Sequence, residues 1–124
     1  MGSQNSSIVR EKSFQFAIRI VRLYKYLNEK NEYLLSKQLL RSGTSIGANI
    51  REALNAESKA DFIHKFGIAQ KEADETLYWL ELLYFSDLLN EVEYKSIHNE
   101  AEELLKIIKS IILTTKDRIK THNS

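Results

Sequence analysis

The chain of 124 residues has no cysteine, no proline and only four glycines. Without cysteine there is neither a disulfide framework nor a thiolate metal site. An all-β domain needs many tight turns and draws on glycine and proline to make them, so their scarcity favours helices. No apolar run approaches the roughly 20 residues needed to cross a bilayer. The opening stretch Met1-Gly2-Ser3-Gln4-Asn5-Ser6-Ser7 is polar and lacks the apolar core of a secretory signal. Met1-Gly2-Ser3 reads equally as a native start or a cloning remnant. A cytoplasmic location with no membrane partner is the expectation. A strong charge of either sign is missing as well, because the net charge is +1. The distribution is less even: residues 8–30 carry +4, residues 57–108 carry −7 and residues 109–124 carry +3. A basic start and a basic end flank an acidic middle.

What is present is apolar content, 43% of residues, arranged at helical spacing in a length that suits one domain. The first helix is expected over about 8–28, with Phe16 or Ala17, Ile20, Val21, Tyr24 and Leu27 on its apolar face. The second spans about 32–54 and ends at Asn55, a residue that tolerates the left-handed conformation of helix ends. The third spans about 58–85, opened by Ser58 with Asp61 three residues on, a capping-box-like pair. The fourth spans about 91–119, opened by Asn90 with Glu93. Residues 1–7 are expected to be disordered and 121–124 to fray. Helices of this length joined by short polar breaks pack as antiparallel neighbours. The expected fold is all-α, an up-down-up-down four-helix bundle over 8–120.

Two stretches stand out. In the second helix Leu39, Gly43, Ile46, Ile50 and Ala53 form an apolar or small seam. Gln38, Ser42, Ser45, Asn49 and Glu52 run beside it as a polar seam. Small polar groups beside a core stripe serve close helix packing or a buried hydrogen-bond network. The pattern leaves open whether that seam faces its own bundle or another subunit. In the third helix Leu77-Tyr78-Trp79-Leu80-Glu81-Leu82-Leu83-Tyr84-Phe85 is apolar on nearly every side. A bundle helix needs an apolar stripe about 100° wide. The surplus Tyr78, Trp79 and Phe85 are therefore expected at an oligomer interface.

Catalytic chemistry finds little support. Metal sites in bundles use paired Glu-x-x-His motifs, and the one partial match is Asp61-Phe62-Ile63-His64. Glu72, Asp74 and Glu75, and the group Glu100, Glu102 and Glu103, read as solvated helix faces. No glycine-rich phosphate loop and no nucleophilic triad is evident. The expectation is no catalytic residue, no metal, no cofactor, no small-molecule substrate and no enzyme activity. Nucleic acid is the more serious alternative. Lys12, Arg19 and Arg22 on the first helix, with Arg41 and also Arg51 on the second, are candidate phosphate contacts; equally, the basic first helix can lie against the acidic third or fourth helix, within or between subunits.

Several fragments together carry a family resemblance. They are Gln38-Leu39-x-Arg41, Ser45-Ile46, Asn49-Ile50-x-Glu52, Asp61-Phe62 and Ile68-Ala69. The run from Ala56 to Lys65 followed by Lys71-Glu72-Ala73-x-Glu75-Thr76-x-Tyr78-Trp79-Leu80 adds to them. Over about residues 14–113 the chain resembles the bacterial four-helix-bundle proteins named for intervening sequences in 23S rRNA genes, the S23 ribosomal protein-like family. The resemblance implies a homopentameric ring. It also implies similarity to the accessory protein of diversity-generating retroelements, a pentameric bundle whose basic surface engages a reverse transcriptase and nucleic acid. It carries over no catalytic residue, since the family has no established catalytic site and its role is itself unsettled.

Overall fold

The computed structural model describes residues 4–123. Four helices account for nearly all of them: α1 (Gln4–Glu29), α2 (Leu34–Leu54), α3 (Lys59–Phe85) and α4 (Glu91–Asn123). No strand occurs among the described residues. The connections 30–33, 55–58 and 86–90 are too short for anything but antiparallel neighbours. Each helix packs on two others around a square, α1 on α2, α2 on α3, α3 on α4 and α4 back on α1. The diagonal pairs do not meet, and the α1–α4 seam is the thinnest.

One stepping pattern builds the core. The buried positions of α1 are Ser6, Val9, Ser13, Phe16, Ile20, Leu23 and Leu27. Those of α2 include Ser36, Leu39, Gly43, Ile46, Ile50 and Ala53. In α3 they are Phe62, Phe66, Ala69, Ala73, Thr76, Leu80 and Leu83. In α4 Ile97, Ala101, Leu104, Ile108 and Ile111 continue the scheme. Alternating steps of three and four keep one seam of each helix facing inward, the pattern that packs helices at about 20°. The inward face of α1 corrects the expected one. Stepping from Phe16 and Ile20 lands on Leu23, while Val21 points outward and is 36% exposed. Each fully buried Leu, Ile or Phe contributes on the order of 1.5–3 kcal/mol of transfer free energy.

The helix ends have identifiable causes. Asn31 and Asp87 adopt left-handed φ of 64° and 63°. Beside them Glu32 N–H donates to the Leu27 carbonyl and Leu88 N–H to the Leu83 carbonyl, each at 2.9 Å. These are Schellman closures, and they stop α1 and α3. Asn55 ends α2 differently from expectation, with φ −104°. Its side chain donates to the Arg51 carbonyl at 3.0 Å. Ser58 Oγ accepts from Asp61 N–H at 3.0 Å, and Asn90 Oδ1 accepts from Glu93 N–H at 2.8 Å. Both caps match the sequence reading.

The outer ends extend further than expected. Residues 4–7, assigned to a disordered segment, form the first turn of α1. Buried Ser6 and Val9 continue the inward seam there, so packing carries a polar start. Residues 121–123, expected to fray, complete α4. Met1, Gly2, Ser3 and Ser124, the rest of those two segments, lie outside the described residues.

Candidate functional site

The polar seam of α2 divides once it is placed in the bundle. Ser42 is fully buried, and its hydroxyl lies 3.0 Å from that of Thr76 on α3. Thr76 also donates to the Glu72 carbonyl at 2.7 Å. The other members serve their own helix or the surface. Ser45 donates to the Arg41 carbonyl at 2.5 Å, and Asn49 Nδ2 to the Ser45 carbonyl at 2.8 Å. Glu52 is exposed and accepts from Lys65 Nζ at 3.3 Å; Gln38 is exposed. The seam is therefore one buried hydroxyl pair with local capping bonds around it, rather than a buried network. The small residues act on the other side. A Cβ at Gly43 would stand 2.8 Å from Ile20 Cγ1, and one at Gly47 3.4 Å from the Ser13 carbonyl oxygen. Close packing here is between α1 and α2 of the same chain.

The candidate phosphate contacts are largely engaged by carboxylates. Lys12 pairs with Glu103 at 3.7 Å. Arg19 reaches Glu100 at 2.9 Å and Glu93 at 3.2 Å, bridging α1 to α4. Arg41 holds Glu72 at 3.2 Å and also Glu75, bridging α2 to α3. Hydrogen bonding from Arg41 holds the Glu75 carboxyl below its ordinary range; burial opposes it and the Trp79 indole N–H adds to it. The same bond to Glu75 raises Arg41 against the effect of burial. Arg51 lies over the Phe14 ring, 5.1 Å from its centroid. Arg22 lines a groove of about 640 Å³ between α1 and α4, together with Arg19, Tyr26, Leu89, Glu93 and Glu100. The basic start of the chain thus lies against part of its acidic middle. Sequence alone could not pair these residues, since they are 74 and 81 positions apart in the Arg19 cluster.

The aromatic run of α3 also divides. Tyr78 and Phe85, seven residues apart and so on one side of the helix, are 57% and 76% exposed. Trp79 packs against the core and donates its indole N–H to Glu75 at 3.1 Å. Tyr84 faces α4 and stacks on Tyr94, centroids 4.2 Å apart. Val92, at the start of α4, is 81% exposed.

His64 is exposed. Among the described residues no group of three or more His, Asp or Glu side chains is arranged to hold a metal. No helix there is long and apolar enough to cross a membrane. Another histidine, His98, joins two carboxylates, Glu81 and Glu102, each at 3.0 Å. Its i,i+4 partner Glu102 was legible in the sequence; Glu81, on another helix, was not.

A family model described as 23S rRNA-intervening sequence protein matches residues 5–110. Among solved structures, similarity extends to a protein of unknown function from the S23 ribosomal protein family of Bacteroides thetaiotaomicron VPI-5482. The two are 55% identical over 88% of this chain and 98% of that one, with a TM-score of 0.86. No curated protein matches.

Proposed function

The chain belongs to the 23S rRNA-intervening sequence protein family, and from that premise we propose that it works by assembly rather than by catalysis. The reading is a cytoplasmic, non-enzymatic bundle that docks onto further copies of itself. Its main support is the exposed stripe of α3, where Phe85 is 76% and Tyr78 57% exposed. Large exposed aromatics are costly in isolation and characteristic of subunit contacts. Covering one phenylalanine side chain fully contributes about 1.5–3 kcal/mol toward an interface. The family resemblance makes a homopentameric ring the expected form. Light scattering of the pure protein at tens of micromolar should give five chain masses, and a monomer there overturns the reading.

The alternative is a nucleic-acid-binding accessory protein that works with a reverse transcriptase. Ion pairing disfavours it, because phosphate would have to displace glutamates from Lys12, Arg19 and Arg41. Of the five candidates, Arg22 and Arg51 have no carboxylate partner among the described residues, and Arg51 lies over the Phe14 ring. Tight binding to structured RNA that falls steeply with salt and is lost with Arg22→Glu would reverse the preference.

A further inference from the structure

Beyond the Tyr84–Tyr94 stack, the α3–α4 seam is crossed by one histidine. His98 Nε2 lies 3.0 Å from Glu81 of α3, and Nδ1 lies 3.0 Å from Glu102 of α4. The ring is largely enclosed, its side chain 18% exposed, while the two carboxylates are about half exposed, 49% and 48%. Ionised carboxylates only accept hydrogen bonds, and a neutral imidazole has a single N–H to give. Both contacts are satisfied together only when the ring is an imidazolium. We propose that His98 is a pH-sensitive latch between α3 and α4, closed while its ring is protonated, whose opening loosens the aromatic end formed by Tyr84, Tyr94 and Phe85.

The surroundings isolate this interaction. From α3 the ring faces Glu81, with Tyr84 beyond it in the stack on Tyr94; its own helix adds Tyr94 at 5.1 Å, Glu102 and, a turn away, Lys95. Lys95 is engaged by Glu91 at 2.8 Å. The α1 cations Lys12 and Arg19 meet Glu103, Glu93 and Glu100 on another side of α4, and α2 does not touch α4. Among the described residues no other cation is recorded against Glu81 or Glu102, so the ring is the positive charge they share. The Tyr94 hydroxyl is pushed up by burial and then by Glu81, Tyr84 and Glu102, consistent with an end of the seam that carries excess negative charge. When the ring loses a proton, one carboxylate faces a lone pair at hydrogen-bond distance, whichever tautomer forms. The contact to Glu81 is the one that ties two helices together. The tilted His98–Tyr94 contact transmits its loss to the Tyr84–Tyr94 stack.

The direction follows from linkage. Both bonds exist together only while the ring carries two N–H groups, so the latch contributes stability at low pH and is lost when the ring gives up a proton. The test is thermal unfolding of the full chain from pH 5 to 9 at constant ionic strength, for the native sequence, His98→Gln and Glu81→Gln. The native melting temperature should fall with pH by a few degrees more than that of His98→Gln. Glu81→Gln should remove most of the extra slope. NMR of the native protein should show Tyr84 and Tyr94 ring signals shifting with the midpoint of the His98 ring, a readout that holds even if a variant folds poorly. Parallel curves for the native chain and His98→Gln, or tyrosine signals that ignore the His98 titration, overturn the proposal.

Discussion

Gly43 shows how one residue sets the spacing of two helices. Inside a helix, glycine costs about 1 kcal/mol relative to alanine. It is kept where the Ile20 side chain of α1 occupies the space of a Cβ, with its Cγ atoms 2.8 and 2.9 Å away. Gly43→Ala is expected to destabilise by about 1–3 kcal/mol through overpacking. Combined with Ile20→Ala, the added methyl fills part of the vacated space, so the two changes should be less than additive in denaturant unfolding. Gly67 is the contrast. Nothing lies within 4 Å of its would-be Cβ, so Gly67→Ala should stabilise by about 0.5–1 kcal/mol. The sequence shows three glycines in helices but not which one has a neighbour. The small-residue seam predicted close approach at Gly43, and only the partner helix supplies Ile20.

Between helices, the decisive contacts are ionic bridges on the rims of the core. Arg41 of α2 holds Glu72 and Glu75 of α3, and Trp79 adds a bond to Glu75. Because the Glu75 carboxyl is held below its ordinary value of 4.5, this contact stabilises the fold above that value. It is lost as pH falls through the lowered one. Glu75→Gln is therefore expected to lower the melting temperature near neutrality and to flatten its fall below about pH 4.5, as followed by circular dichroism. High salt should shrink the difference, since the pair is partly solvated. Asn49 is a milder case than its place in the polar seam suggests. It is half-buried and bonds only to the Ser45 carbonyl of its own helix. Asn49→Leu should leave unfolding of the single chain within about 1 kcal/mol of native. A large loss of oligomer in that variant would show that the residue faces another subunit. The helices themselves were legible in 3.6-residue periodicity, including both serine and asparagine caps. The start of α1 was not, because buried Ser6 looks polar in sequence and is held by packing.

For the molecule as a whole, the outward stripe of α3 connects fold to proposed function. Phe85→Asp changes a side chain that is 76% exposed and meets Tyr84 and Tyr94 at its edge. It should leave the helical spectrum unchanged while shifting light scattering from oligomer toward single chains. Retention of the full assembly would place the interface elsewhere. Sequence by itself determined the class of fold. Absence of proline, scarcity of glycine and a repeated three-four apolar spacing leave a helical bundle as the arrangement that buries the apolar seams, because periodicity is a local property. It also carried the family resemblance, since that rests on residue types at fixed positions. Tertiary structure alone decided the pairing of charges. It turned the candidate phosphate contacts Lys12, Arg19 and Arg41 into bridges to glutamates, set Trp79 inward and Tyr78 and Phe85 outward, and gave His98 two carboxylates at once. Those outcomes depend on which helix lies beside which and at what height. Residues far apart along the chain acquire such neighbours only when the core brings their helices together.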